Sequence, residues 1–180
     1  KMAAILLFLL ALPISKATGQ RPEPQRLRVL FLGDNGHHRP TQRAQQLLPA
    51  LARNGIDLFY TDRVEDLKDS ELDRYQALVL YNNHVNVGKE ELASLLRFVA
   101  DGGGLVVLHC ASASFQNSEE FISLVGAAFK SHGTGTFSAV RAAENHPAIA
   151  GVPVITSWDE TYLHTKHNPV NRTVLEVRRE

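Results

Sequence analysis

Histidines and acids recur in the polar segments of this chain, and those segments are where chemistry is expected. The chain has eight histidines in 180 residues, which is more than a protein of this size usually carries. Imidazole and carboxylate groups together suit general acid–base catalysis, and they also suit zinc or another transition metal. No His-x-x-x-His or His-Glu-x-x-His motif is present, so a metal site would have to be assembled from distant loops. Acid–base and metal-assisted chemistry therefore both stay open.

An acidic pair between two aromatic residues is the second chemical feature. Asp159 and Glu160 lie between Trp158 and Tyr162, a setting typical of a partly buried and shaped environment. We therefore expect Asp159 and Glu160 to line a shaped pocket and not an open surface.

Cys110, the only cysteine, offers a competing interpretation as a nucleophile. A strand-to-helix turn can present such a side chain at the top of a sheet, in a Gly-x-Cys-x-Gly elbow. Here the flanking residues lack glycine, so we expect an inert packed thiol. A phosphate cradle is not expected either, because Gly102-Gly103-Gly104 precedes a strand instead of opening a helix.

The elements that must position these residues alternate between strand and helix. Apolar runs predict strands at 28–32, 57–61, 77–81 and 105–108, and helical spacing predicts helices at 44–51, 92–99 and 118–125. Ser70–Asp73 has capping-box spacing and predicts a short helical turn. Beyond Gly126 the pattern weakens, with strands expected only at 137–142 and 173–177. The alternation predicts a doubly wound, mainly parallel α/β sheet with helices on both faces.

The predicted topology says where the site should lie. In such sheets the ligand crevice lies outside the carboxyl ends of the strands, near the switch in strand order. The first strand leads to Asn35, His37 and His38, the third to Asn82, and the fourth to His109. We therefore expect these polar loops to converge on one crevice.

The composition and the first residues indicate the partners and the location expected for this protein. Lys+Arg and Asp+Glu both total 19, and no basic stripe is present, so nucleic acid is not an expected partner. The segment 1–19 has a positive start, a short apolar run and a small-x-small pattern, which indicates a secretory signal peptide. A linker at 20–27 and one domain at 28–180 follow. The apolar run is too short for a stable membrane span, so we expect a secreted or periplasmic protein.

The ordered motifs resemble those of the ThuA-like (trehalose-utilisation) family, within the class I glutamine-amidotransferase-like superfamily. The resemblance rests first on the segment 104–111, which contains His109, then on Phe115, the segment 124–129 and His132. The dipeptide His146-Pro147, the segment Asp159-Glu160-Thr161-Tyr162 and the Gly36-His37-His38 loop match the same family. The likeness runs from about Arg28 to the last residue. In the family pattern a serine usually stands where this chain has Cys110, which argues against an inherited nucleophile.

The resemblance implies a flavodoxin-like sheet and a role in bacterial carbohydrate metabolism, on trehalose-like or 3-keto sugars. It also implies a fused or neighbouring sugar dehydrogenase or cytochrome module, and a domain that extends past residue 180. A lyase, an isomerase or a hydrolase would each fit. The alternatives are a non-catalytic carbohydrate-binding or scaffolding module and a Cys110-dependent amidotransferase-like hydrolase.

The candidate residues fall into three groups. The candidate acid–base residues are His37, His109, His132 and Glu160; the candidate substrate contacts are Asn35, Asn82, Trp158 and Tyr162; the candidate metal ligands are His37, His109, His132 and His164. The sequence does not identify a cofactor. A divalent metal such as zinc is the cofactor that these residues would suit.

Overall fold

A four-stranded parallel sheet forms the centre of the protein. The computed structural model describes residues 25–179, so the predicted signal peptide and most of the linker lie outside the described residues. The strands are β1 (Leu27–Leu32), β2 (Ile56–Thr61), β3 (Ala77–Leu80) and β4 (Gly104–Val107), in the order β2-β1-β3-β4. The chain first steps from β1 to one side and then to the other, so the switch in strand order lies between β1 and β3. The parallel sheet predicted from the sequence is confirmed.

Four helices connect these strands or follow them. They are α1 (Pro40–Arg53), α2 (Asp69–Leu72), α3 (Lys89–Ala100) and α4 (Glu119–Val125). Pro40 begins α1, where its missing N–H costs nothing, and Gly55 at φ 78° follows its end. The hydroxyl of Ser118 accepts a hydrogen bond from Phe121 N and caps α4. Short 3₁₀ turns cover Val64–Leu67, His109–Ala113 and Pro147–Ile149.

The short helical turn predicted at Ser70–Asp73 is present as α2, but Ser70 is not its cap. Lys68 is the N-cap of α2, without a side-chain cap, and the helix begins at Asp69. The carbonyl of Lys68 accepts hydrogen bonds from Glu71 N and Leu72 N, so the turn begins before Ser70 can act as a cap.

Helices pack on both faces of the parallel sheet. Leu30, Leu32 and Leu78 belong to a buried cluster that also contains Leu95 of α3. Phe31 alternates with these residues and so faces the opposite side, where it lines a cavity with Leu47 of α1. The predicted two-sided packing is therefore confirmed.

A three-stranded antiparallel sheet follows α4. Its strands are β5 (Ala128–Arg141), β6 (Thr156–Thr165) and β7 (Glu176–Arg179), in the order β6-β5-β7. The sequence predicted only part of β5, placed the last strand three residues early and did not predict β6. In β5 and β6 about half of the residues are exposed and only Ala128 is buried, so these strands lack the apolar alternation that identifies a half-buried strand.

β4 lies at the edge of the parallel sheet. It pairs with β3 on one side, and Val106 at its centre is 46% exposed. Among the described residues, no helix is both long enough and apolar enough to cross a bilayer.

Candidate functional site

His109 is placed by a strained turn at the carboxyl end of β4. The strand leads through Leu108 into the 3₁₀ turn His109–Ala113, and His109 adopts φ 49°. This left-handed conformation costs an L-residue other than glycine about 1–2 kcal/mol. Strain of this kind persists where the surrounding structure fixes the backbone, as it often does at functional sites. The residue at the apex of the turn is thus His109, and Cys110 follows it into the interior.

Glu160 lies between two imidazoles. Its Oε2 is 3.2 Å from His109 Nε2, and its Oε1 is 3.6 Å from His132 Nε2. The three side chains are about one-quarter to two-fifths exposed, so ligand can reach them while solvent screening is reduced. The structure therefore brings together three of the four predicted acid–base residues.

The register of the antiparallel sheet explains why these residues meet. His132 on β5 pairs with Tyr162 on β6, and Thr134 pairs with Glu160. Alternate residues of a strand share a face, so Glu160 and Tyr162 project on the same side as His132. The antiparallel sheet thus contributes one half of the site and the parallel sheet the other.

Tyr162 fills the centre of an aromatic group around the carboxylate. Its ring stacks on His109 at 4.6 Å between centroids and on His132 at 5.6 Å. Burial first, and then the charge of Glu160, raises the pKa of the Tyr162 hydroxyl above its ordinary value of 10.0. The hydroxyl therefore stays protonated at neutral pH and is available as a hydrogen-bond donor.

His38 completes the cluster from the loop after β1. Its ring lies edge-on to His109 at 4.8 Å between centroids, and it packs on His37 at 3.9 Å. Burial, followed by the neighbouring His37, lowers the pKa of His38 below its ordinary value of 6.5, which favours the neutral ring. Ligand atoms of His38, His109 and Glu160 all lie within 4.8 Å of one another, a spacing that could hold a metal ion.

A buried polar layer supports the two loops beneath these histidines. Asp34 accepts hydrogen bonds from Gly36 N at 2.7 Å and Asn83 N at 2.5 Å, which joins the loop after β1 to the loop after β3. Asn82 is fully buried and its Oδ1 accepts a hydrogen bond from Ser114 Oγ at 2.8 Å. The structure thus places Asn82 under the site, as a supporting residue, and not on its surface where we predicted a substrate contact.

Two cavities meet at Glu160 and Tyr162. The larger, about 950 Å³, is also lined by His109, Ser112 and His164. The smaller, about 350 Å³, is also lined by His37, His38 and His132. Both volumes are close to the ~300–1,000 Å³ of typical small-molecule sites. The carboxylate and the phenol ring form a wall that both cavities share.

The remaining predicted residues lie at varied distances from this wall. His164 lines the larger cavity, with its Nε2 3.2 Å from Ser112 Oγ, and so lies apart from the group of possible metal ligands. His37 lines the smaller cavity and contacts the group through His38. Asn35 donates a hydrogen bond to Asp62 at the surface, and Trp158 is 70% exposed. Neither Asn35 nor Trp158 lines either cavity.

Cys110 is buried beneath the turn His109–Ala113. It is 1% exposed, and burial, with a further contribution from Asp34, raises the pKa of its thiol to about 12. A thiol with this pKa is protonated at neutral pH and is a poor nucleophile. The inert packing expected for this residue agrees with its position.

Two residues of the site were missed from the sequence. The sequence predicts His37, and not His38, as a site residue. Both belong to the same loop, and adjacency does not indicate which ring turns inward. Tyr81 is predicted only as the end of a strand, yet its ring centroid lies 6.1 Å from that of His109. Its position directly after β3, at the switch in strand order, is the signal that could have identified it.

The comparisons with known proteins agree with this fold. A ThuA-like protein from Bacteroides uniformis ATCC 8492 is 19% identical, with a TM-score of 0.71 over 84% of this chain and 67% of that one. A ThuA-like protein from Parabacteroides merdae ATCC 43184 is 17% identical, with a TM-score of 0.66 over 85% and 68% of the two chains. No curated protein gives a significant match.

A family model matches nearly all of the described residues. The model for ThuA, described as trehalose utilisation, matches residues 28–180, which covers the parallel sheet and the antiparallel sheet together. The residues that line both cavities fall within this range. The chain therefore belongs to the ThuA (trehalose utilisation) family.

Proposed function

We propose that this chain is a bacterial enzyme that acts on sugars, with trehalose-like and 3-keto sugars as its substrates. The observation that carries the proposal is the single carboxylate, Glu160, between the imidazoles of His109 and His132. This arrangement forms a wall of cavities large enough for one or two sugar rings. Membership of a trehalose-utilisation family supports the substrate class.

The proposed chemistry is proton transfer next to a keto group. The Glu160–His132 pair accepts a proton from the carbon beside the carbonyl, and the C–H electrons form a carbon–carbon double bond. The carbonyl π electrons move to oxygen, which takes a proton from a donor such as Tyr162, so that an enediol forms. General base catalysis of this kind needs a base within hydrogen-bond reach of the proton. An isomerase and a lyase both begin with this step.

The experiment is hydrogen exchange in deuterium oxide. The purified protein is incubated with 3-keto-trehalose and with trehalose, and NMR follows loss of the proton signals at the carbons beside the carbonyl. We expect enzyme-dependent exchange with the keto sugar, and at least 100-fold slower exchange for Glu160→Gln, since one general base typically contributes ~10²–10⁴-fold. The exposed Glu144 supplies the matched control, and Glu144→Gln should exchange at the wild-type rate.

The alternatives give different results in this experiment. A non-catalytic carbohydrate module would bind these sugars without exchange or product formation. A Cys110-dependent hydrolase would lose activity on Cys110→Ala and keep it on Glu160→Gln; the burial and raised pKa of this thiol argue against it.

We also propose that the protein is exported. The basis is the apolar segment that begins the chain, with its positive start and small-residue pattern. Mass spectrometry of the mature N-terminus after expression in a bacterial host tests this, because export predicts cleavage near residue 19. A sugar dehydrogenase or cytochrome module is the partner proposed for the same compartment.

A further inference from the structure

We propose that His38, His109 and Glu160 bind a divalent transition-metal ion, with zinc as the best-suited ion. The inference rests on the proposed function, because it adds a cofactor to the same site. The three residues come from different parts of the fold: His38 follows β1, His109 follows β4, and Glu160 lies on β6. Their ligand atoms already lie within 4.8 Å of one another.

The distances suit zinc coordination. Zinc binds imidazole nitrogen and carboxylate oxygen at about 2.0–2.2 Å, so two ligand atoms in a tetrahedral site lie about 3.4 Å apart. The separation of His109 Nε2 and Glu160 Oε2 is 3.2 Å. His38 lies edge-on to the His109 ring, and one of its ring nitrogens lies within 4.8 Å of the ligand atoms of the other two residues.

The unsatisfied oxygen of Glu160 is an independent observation. Oε2 is buried and has no hydrogen-bond partner, although His109 Nε2 is only 3.2 Å away. The two atoms approach each other without the alignment that a hydrogen bond requires. A buried acceptor without a partner destabilises the folded chain, and it does so more strongly when it is charged. A cation held between this oxygen and the imidazoles removes that cost.

The surroundings match a catalytic metal site better than a structural one. Two histidines and one glutamate leave a fourth zinc position open, as in known catalytic sites. Here Glu160 lies on the wall of both cavities, so that position is accessible to a ligand. His132, 3.6 Å from Oε1, lies where a residue that orients the carboxylate belongs.

The types of the three side chains indicate which metal ion the site would bind. Calcium and magnesium prefer sites made only of oxygen, and soft ions prefer thiolate, whereas two imidazoles and a carboxylate suit zinc. Bound there, the ion would act as a Lewis acid on a substrate carbonyl or hydroxyl oxygen. Oε2 would then serve the metal, and proton transfer would fall to the His132 side of the carboxylate.

Metal titration of the full chain tests the inference. The protein is purified without a polyhistidine tag, stripped with a chelator and titrated with zinc by calorimetry. We expect one zinc per chain, with at least ten-fold weaker binding in His38→Ala and in Glu160→Gln. The control is His146→Asn, which changes a histidine that caps the turn at Pro147–Ile149 and should bind zinc as the wild type does.

Cobalt gives a second measurement on the wild-type protein, which does not depend on whether the variants fold. Cobalt bound by two imidazoles and one carboxylate should give visible absorption bands without a thiolate charge-transfer band. The inference is overturned if the stripped wild-type protein binds neither zinc nor cobalt, or if folded His38→Ala binds zinc as tightly as the wild type. Stoichiometric zinc without exchange of a keto sugar would support the metal site and count against the proposed function.

Discussion

Single residues at this site differ sharply in what they contribute. His109 and Cys110 are neighbours, yet one lies at the cavity wall and the other in the core. The left-handed backbone at His109 makes this difference, because it turns the chain at the end of β4 and directs the next residue inward. At this turn the imidazole, and not the thiol, therefore faces the cavity.

The Cys110 thiol should resist alkylation in the folded protein. At pH 8 we expect iodoacetamide to leave the native chain unlabelled over hours and to label the urea-unfolded chain fully, because the native thiol is buried with a pKa of about 12. Mass spectrometry measures the label, and Cys110→Ala supplies the unlabelled reference. Rapid native labelling at pH 8 would show that the thiol is accessible as a thiolate.

The same thiol contributes to the pH dependence of stability. Its pKa rises from an ordinary 9.0 to about 12 on folding, so ionisation favours the unfolded chain. The contribution is complete below about pH 9 and is lost as the pH rises toward 12. Urea unfolding of Cys110→Ser should show a weaker loss of stability over this window than the wild type.

Some residues of the site could be predicted from the sequence and others could not. His109 was predictable because it directly follows an apolar strand, where an α/β sheet presents its functional groups. Glu160 is indicated by its aromatic neighbours and His132 by a resemblance in motifs, but nothing in their spacing places either residue beside His109. The choice between His37 and His38 depends on side-chain direction within one loop, and sequence alone does not fix that direction.

At the scale of elements, the turn after β4 should show its strain in mutants. His109→Gly should be about 1 kcal/mol more stable than His109→Ala, because φ 49° is strained for alanine and free of strain for glycine. Chemical denaturation measures both variants. The neighbouring Ala111, which is not among the residues with positive φ, provides the reference, and Ala111→Gly should lower stability.

The elements that the sequence predicted well are the ones buried on two faces. β1 and β3 carry continuous apolar runs because helices cover both sides of their sheet, and their bounds were correct to within one residue. β6 carries Trp158, Asp159 and Glu160 in succession. None of its residues is buried, so its sequence lacks the alternation of apolar and polar residues by which a strand is recognised. Its position follows from pairing with β5, which is a long-range property that local periodicity does not contain.

At the scale of the whole molecule, the site joins two sheets. The parallel sheet supplies His38 and His109, and the antiparallel sheet supplies His132, Glu160 and Tyr162. The proton-transfer groups all lie on the antiparallel sheet, but residues that follow the parallel strands also line the cavities around them, and the proposed metal site draws on both sheets. The proposed activity therefore depends on how the antiparallel sheet is held against the strand ends, and substitutions at that junction should lower activity without touching the reacting groups.

The exposed edge at β4 has a consequence for the behaviour of the chain in solution. An edge strand offers a row of backbone N–H and C=O groups to other strands, and charged side chains are the usual protection. β4 reads Gly-Leu-Val-Val and carries no charge. We expect the 180-residue chain to self-associate in a concentration-dependent way, less in Val106→Lys and equally in Val85→Lys, which changes a loop valine that is 61% exposed. Light scattering measures this, and equal association of all three proteins would place the contact elsewhere. Association lost in Val106→Lys alone would mean that these chains extend one another's sheets through β4.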